Sequence, residues 1–306
     1  MLPWLLLGLA AGVLVAVVLY NLREQRRLPR PRVEPSDGIE PSLSNPPMPS
    51  SRAEQEVPEF EAPFATVQAY ELPPGLTPSQ GLIQRAESLV RVGNKTAGVH
   101  MVRSETGELL SFEVGLVLAN RLGPLTLPDH EAWLESLESL RQELGASFAE
   151  APPSFAELHA QSREAERRLS ALDGQMVLHI LAAPPTDARL LQWAEGRGLQ
   201  QRAGRHFSRM VNQRVAYTFS SADGGRALSC VMDLPRCPSP EEAYEAMVDD
   251  LLDAAEVFDG PIVDESNRVL VDDDLSLIER QLAERALDLR KAGLEPGGWL
   301  ARAVYV

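Results

Sequence analysis

Five histidines, at positions 100, 130, 159, 179 and 206, and two cysteines, Cys230 and Cys237, have the widest chemical repertoire in this chain. Their spacing assigns them no reaction. A helical zinc site needs two histidines one turn apart around a glutamate, and other tight metal sites use His-x-His or Cys-x-x-Cys pairs; none of these occurs. His130-Glu131 falls in the first turn of an expected helix, where a glutamate complements the helix dipole. Gly196, Gly198 and Gly204 follow a helix instead of a strand, and they lack the spacing that lets backbone amides cradle a phosphate. No G-x-S-x-G nucleophile elbow is present. Asp272-Asp273-Asp274 precedes a long helical pattern, where three carboxylates serve capping and the dipole better than a cation site. The reading is therefore of a protein that is not an enzyme, uses no metal or cofactor, and works through its surfaces.

The elements that would carry such surfaces follow from length and composition. The 306 residues are 44% hydrophobic and 24% charged, with Lys+Arg 29 against Asp+Glu 44 and a net charge of -15, room for one or two modest domains. Arg23, Arg26, Arg27, Arg30 and Arg32 lie together near the start, so the remainder is still more acidic than the whole. A body of that charge repels nucleic acid and anionic headgroups. Two cysteines build no disulfide framework, which suits a reducing compartment.

Residues 2–20 carry no charge and would span about 28 Å as a helix, close to the hydrocarbon core of a bilayer. A cleaved signal peptide needs positive charge before the apolar run and a small-residue site after it, whereas here the basic residues follow. Residues 1–22 thus read as a transmembrane anchor. The arginines behind it stay on the cytoplasmic side, which leaves the N-terminus outside and the body inside. Residues 23–63 are basic and then rich in Pro, Ser and Glu, a linker whose Pro-rich part, 29–63, reaches about 110 Å as a polyproline-like chain.

After residue 63 the pattern becomes that of an α+β fold. Strands are expected at 64–72, 97–103, 109–119, 175–181, 205–212, 214–221 and 227–234. Helices are expected from Thr77-Pro78 as cap and first residue, at 128–144, 154–172 and 187–196, from a capping box at Ser239-Pro240-Glu241-Glu242, and at 272–292. Asp223-Gly224-Gly225 reads as a hairpin turn. The order strand, helix, two or three strands, helix, terminal helix occurs twice at an offset of roughly 110 to 115 residues, in units 64–173 and 174–306. Leu116-Val117-Leu118 answers Cys230-Val231-Met232, and Leu144-Gly145 answers Phe258-Asp259-Gly260. Two such units predict split βαβ, ferredoxin-like antiparallel sheets with helices on one face. The other faces are either open to a peptide or buried against each other.

One span, an arginine cluster, a Pro-rich linker and a split βαβ body together resemble the ZipA family of bacterial division proteins. Residues 176–183 (Met-Val-Leu-His-Ile-Leu-Ala-Ala) are similar to the family's first strand, 231–235 (Val-Met-Asp-Leu-Pro) to its late strand, and 262–270 (Ile-Val-Asp-Glu-Ser-Asn-Arg-Val-Leu) to the run before its last helix. The upstream half, with Leu116-Val117-Leu118-Ala119-Asn120-Arg121, resembles a duplicated variant. The resemblance implies an inner-membrane, single-pass adaptor at the division septum whose sheet face takes the C-terminal tail of FtsZ. Carried across, the peptide-binding positions are Val177, His179 and Leu181 on the first strand, Ser229 and Val231 on the late one, and Met210 and Thr218 between them. Alternation then turns Leu178, Ile180, Cys230, Met232 and Leu234 toward the helices. The other reading is an anchored ligand-sensing or envelope-assembly scaffold protein.

Overall fold

Apolar residues recur every second position at Phe112, Val114 and Leu116, and every third or fourth at Trp133, Leu137, Leu140 and Leu144, so a strand and a helix are set to meet along one apolar seam. The computed structural model describes residues 60, 62–87, 91–182, 186–202, 205–222 and 227–306. The span expected at 2–20, the arginine cluster and the linker as far as residue 59 lie outside the described residues, as does the turn at 223–225.

The first half runs β1 (Ala65–Glu71), α1 (Gln80–Glu87), β2 (Arg91–Val92), β3 (Lys95–Arg103), β4 (Leu109–Val117), β5 (Ala119–Asn120), β6 (Gly123–Pro124), α2 (Leu127–Leu144), β7 (Ser147–Phe148) and α3 (Phe155–Leu172). The second runs β8 (Gln175–Leu181), α4 (Asp187–Gly196), β9 (Gln200–Gln201), β10 (His206–Val211), β11 (Arg214–Ala222), β12 (Ala227–Asp233), α5 (Pro240–Phe258), β13 (Ile262–Val263), α6 (Asp272–Lys291) and α7 (Trp299–Val304). This is a mixed α+β fold, with seven α-helices among the described residues. The sheet orders are β2-β3-β4-β1-β7 and β13-β8-β12-β11-β10-β9, and their ladders are antiparallel.

The two orders correspond strand for strand from β7-β1-β4-β3 to β13-β8-β12-β11. Equivalent backbone bonds fix the alignment. Leu118 N donates to Phe64 O at 2.8 Å where β4 leaves β1, and Leu234 N donates to Gly174 O at 3.1 Å where β12 leaves β8. Val67 pairs with Gly115, and Val177 with Val231. Leu116 therefore corresponds to Met232, two positions beyond the match drawn from the sequence. A two-residue slip keeps every side chain on its face, which is why the alternation did not reveal it.

In the first half, Tyr70, Phe112, Val114 and Leu116 pack on Leu82 and Ala86 of α1 and on Trp133, Leu137, Leu140 and Leu144 of α2. In the second, Leu178, Ile180, Cys230 and Met232 pack on Trp193 of α4, Met247 and Leu251 of α5, and Leu282 and Leu289 of α6. That core also takes in Phe64, Val117, Ala165 and Leu169 of the first half. All described residues accordingly belong to one compact unit, Glu54–Val306. Arg121 ties the halves together: it reaches Asp173 at 2.6 and 2.9 Å, Asp233 at 2.6 and 2.8 Å, and the carbonyl of Tyr305 at 3.1 Å. Hydrogen bonds that it donates to Asp233 and Asp173 outweigh burial and hold its guanidinium charged more firmly than usual.

Two helix starts differ from expectation. The hydroxyl of Ser79, not Thr77, caps α1 by accepting from Leu82 N at 3.1 Å. Ser239 has φ 49° and ψ 64°, and this left-handed turn carries its hydroxyl away from the helix amides, so the expected capping box does not form. Its carbonyl still accepts from Ala243 N at 2.9 Å. Boxes do form at Thr126–Asp129 and Ser154–Glu157. At the C-terminal ends, Gly145 and Asp259 occupy equivalent left-handed caps of α2 and α5.

Candidate peptide-binding face

The ladder registers arrange the outer face of the second sheet in rows. Val177, Val231, Thr218 and Ser208 make one row across β8, β12, β11 and β10. His179, Ser229 and Ser220 make the next, and Leu181 and Ala227 begin a third. The intervening residues Leu178, Ile180, Cys230 and Met232 are at most 2% exposed beneath the helices, as a period of two requires. On the outer side Val177, His179, Val231 and Thr218 are half-buried and Leu181 is 36% exposed, while the small Ser229 and Ala227 sit buried between larger neighbours. None of Val177, Leu181 or Val231 joins either hydrophobic core. An apolar floor that packs on neither core is the kind of surface a partner can cover.

The seven positions carried over from the resemblance thus share one face, because β10 turns Phe207, Arg209 and Val211 inward and Ser208 and Met210 outward. Met210 does not share the first row. A β-bulge between Arg209 and Met210 adds a residue to the register, so Met210 lies opposite Val215 and its thioether receives Arg202 Nη2 at 3.1 Å. The row's member on β10 is Ser208, whose hydroxyl lies 3.1 Å from that of Thr218. The extra residue is Ala216 on β11, and nothing in the alternation of that strand marks it in advance.

Polar chemistry on the face is slight. His179 Nδ1 lies 2.7 Å from Ser229 Oγ, a cross-strand pair in the middle of an otherwise apolar or small surface. Beneath the sheet, buried Asp250 accepts from Tyr217 Oη and Arg209 Nη2 at 2.6 Å and from Arg197 Nε at 2.7 Å. Burial, reinforced by Asp250, pushes the Tyr217 phenol far up. Burial likewise raises the Cys230 thiol well above its usual range and the Cys237 thiol to about 12, so both stay protonated. Among the described residues, no group of three or more His, Cys, Asp or Glu side chains is placed to hold a metal ion, and no helix is long and apolar enough to cross a membrane.

The first row runs into a hollow that sequence reasoning did not foresee. A cavity of about 460 Å³ opens where β8 begins, between α6 and the segment 264–270, with Met176, Val177, Arg268, Gln281 and Arg285 in its wall. Asp264 shapes the segment by accepting from the amides of Ser266 and Arg268 at 2.8 and 2.9 Å. The signal was present as the acidic, Arg, apolar run at 262–270, but a hollow depends on how α6 crosses that segment, which no local pattern states. No family model and no curated protein matches the chain.

Proposed function

We propose that the chain is a membrane-anchored adaptor that binds the C-terminal tail of FtsZ on the second sheet and tethers FtsZ polymers to the bacterial inner membrane during division. The observation that carries this reading is the row Val177–Val231–Thr218, an apolar and β-branched strip outside both cores on the face turned away from the helices. A short extended peptide can bury such a strip with side chains of one parity. The split βαβ reading of each sheet is supported by connectivity: β8 lies between β12 and β13, which α5 joins, and β1 lies between β4 and β7, which α2 joins. The expected span supplies localisation and the linker supplies reach. A weak tail site gains avidity when several anchored copies meet one polymer. The acidic body makes no case for nucleic acid.

A second reading, an anchored sensor or scaffold for a small ligand, draws on the cavity beside Val177, whose wall mixes apolar residues with Arg285, Glu265 and the paired Arg268 and Asp264. Co-sedimentation of the full chain in detergent micelles with FtsZ polymers separates the two. The adaptor reading requires pelleting with intact FtsZ and none with FtsZ lacking its tail. Equal pelleting with both, or with neither, sinks it.

A further inference from the structure

We infer that the first sheet carries a second peptide-docking face, held closed in cis by Phe60 at the end of the chain's own linker. On the outer side of that sheet Gly98 and Gly115 are ladder partners, and Val67 completes their row. Two adjacent glycines in mid-sheet weaken the strands unless something approaches closely. Here the ring of Phe60 does: a Cβ built on Gly115 would overlap three of its carbons, and those are the nearest atoms it would meet. The other wall is Trp299, whose ring meets that of Phe60 edge-on with centroids 4.8 Å apart and planes at 71°. Trp299 opens α7, and α7 is fastened to this sheet by Thr96 Oγ1, which donates to Ala303 O at 3.2 Å.

The contact has the character of a seated ligand and not of a core residue. Phe60 is half-buried and belongs to neither hydrophobic core, and Val67 beside it remains 40% exposed. Phe64, four residues on, is by contrast sunk in the core at 1% exposure. The notch also stands where the fold repeats the candidate tail-binding row, since Val67–Gly115–Gly98 is equivalent to Val177–Val231–Thr218. Its occupant is a phenylalanine set among glutamates and proline, in the sequence Glu54 to Ala62. Release of Phe60 would open this face to a peptide of the same chemistry in trans and give each copy two docking faces.

The test uses the full chain in detergent micelles and a fluorescein-labelled peptide of residues 54–62. Phe60→Ala empties the notch and should bind the peptide at least about tenfold more tightly than the wild type, whose notch is filled. Gly115→Ala added to Phe60→Ala should abolish binding while leaving the melting temperature close to that of the single variant, because the three atoms nearest the new Cβ belong to the absent ring. A peptide with alanine at position 60 should not bind. Should the double variant fail to fold, Trp299→Leu in the Phe60→Ala background removes the aromatic wall and should cause the same loss. No binding to Phe60→Ala, equal binding to Phe60→Ala and wild type, or binding indifferent to both added substitutions overturns the proposal. FtsZ plays no part in this experiment, so its result is separate from that of tail binding.

Discussion

On the first sheet the outer row Val67–Gly115–Gly98 has two positions without side chains, and an aromatic ring from outside the sheet fills the gap. The equivalent row of the second sheet, Val177–Val231–Thr218, is floored by β-branched side chains. Strand order, direction and the inward packing are shared. What differs is the depth of the outer face, set by whether two ladder partners carry a Cβ. The second row repeats the lesson in polar terms: on the first sheet His100 Nδ1 lies 3.6 Å from Glu113, and on the second His179 Nδ1 lies 2.7 Å from Ser229. A fold of this type holds its core side fixed while the outer side is free to become a notch or a shallow floor.

The largest effect should come from reversing the two sides of one strand. Met232 is fully buried under the helices, and Met232→Asp places an unpaired carboxylate there, at a cost of about 4 kcal/mol or more. Val231→Asp changes a half-exposed neighbour and should cost about 1 kcal/mol or less, while abolishing binding of an FtsZ tail peptide. The same contrast is expected on the first sheet between Leu116→Asp, which unfolds, and Val67→Asp, which does not. Circular dichroism melts of the four variants, with a tail titration of Val231→Asp, check this. Melting of Val231→Asp but not Met232→Asp would show that the outer and inner faces have been exchanged.

A smaller effect should show that the two faces are carried by one body. Arg121 is the shared partner of Asp173 and Asp233, and its side chain is 21% exposed while theirs are 34% and 23% exposed. Water screens such a cluster in part, so Arg121→Ala should cost about 2 kcal/mol, less than a fully buried pair would. For a body of this size that is about 4–8 °C in Tm. Scanning calorimetry should show a single transition in the wild type, because Phe64, Val117, Ala165 and Leu169 share the second core. Two transitions in the wild type would mean that the faces belong to separately unfolding parts.

Long periodic elements were legible in the sequence: β8 and α4 have the bounds expected of them, and α2 and α3 start within one residue of the positions expected and end where expected. Capping chemistry and apolar period act within a few residues, so they can be read locally. The two-residue strands β7, β9 and β13 are too short to show a period, and α7 is one and a half turns whose position depends on contacts with both halves. At the site, face membership was legible from alternation. The bulge on β11 that shifts the partner of Met210 and the glycine notch under Phe60 were not, because both are defined by a partner strand or ring outside the local pattern.

The smallest effect concerns the His179–Ser229 pair on the open floor. His179 and Ser229 satisfy each other across the strands, so a peptide laid over them must either leave that pair intact under apolar cover or supply its own polar group. His179→Val together with Ser229→Val removes donor and acceptor at once, leaving no orphaned partner, and extends the β-branched floor of the first row into the second. Stability should change by less than about 1 kcal/mol, since the pair is at the surface side of the sheet and β-branched side chains suit a strand. Affinity for an apolar tail peptide should rise by about three- to tenfold, the span that partial desolvation of one neutral hydrogen bond represents. Isothermal titration of the double variant against the wild type reads this directly. A loss of affinity instead would make His179 or Ser229 a direct peptide contact, and the second sheet would then differ from the first in polar recognition as well as in depth.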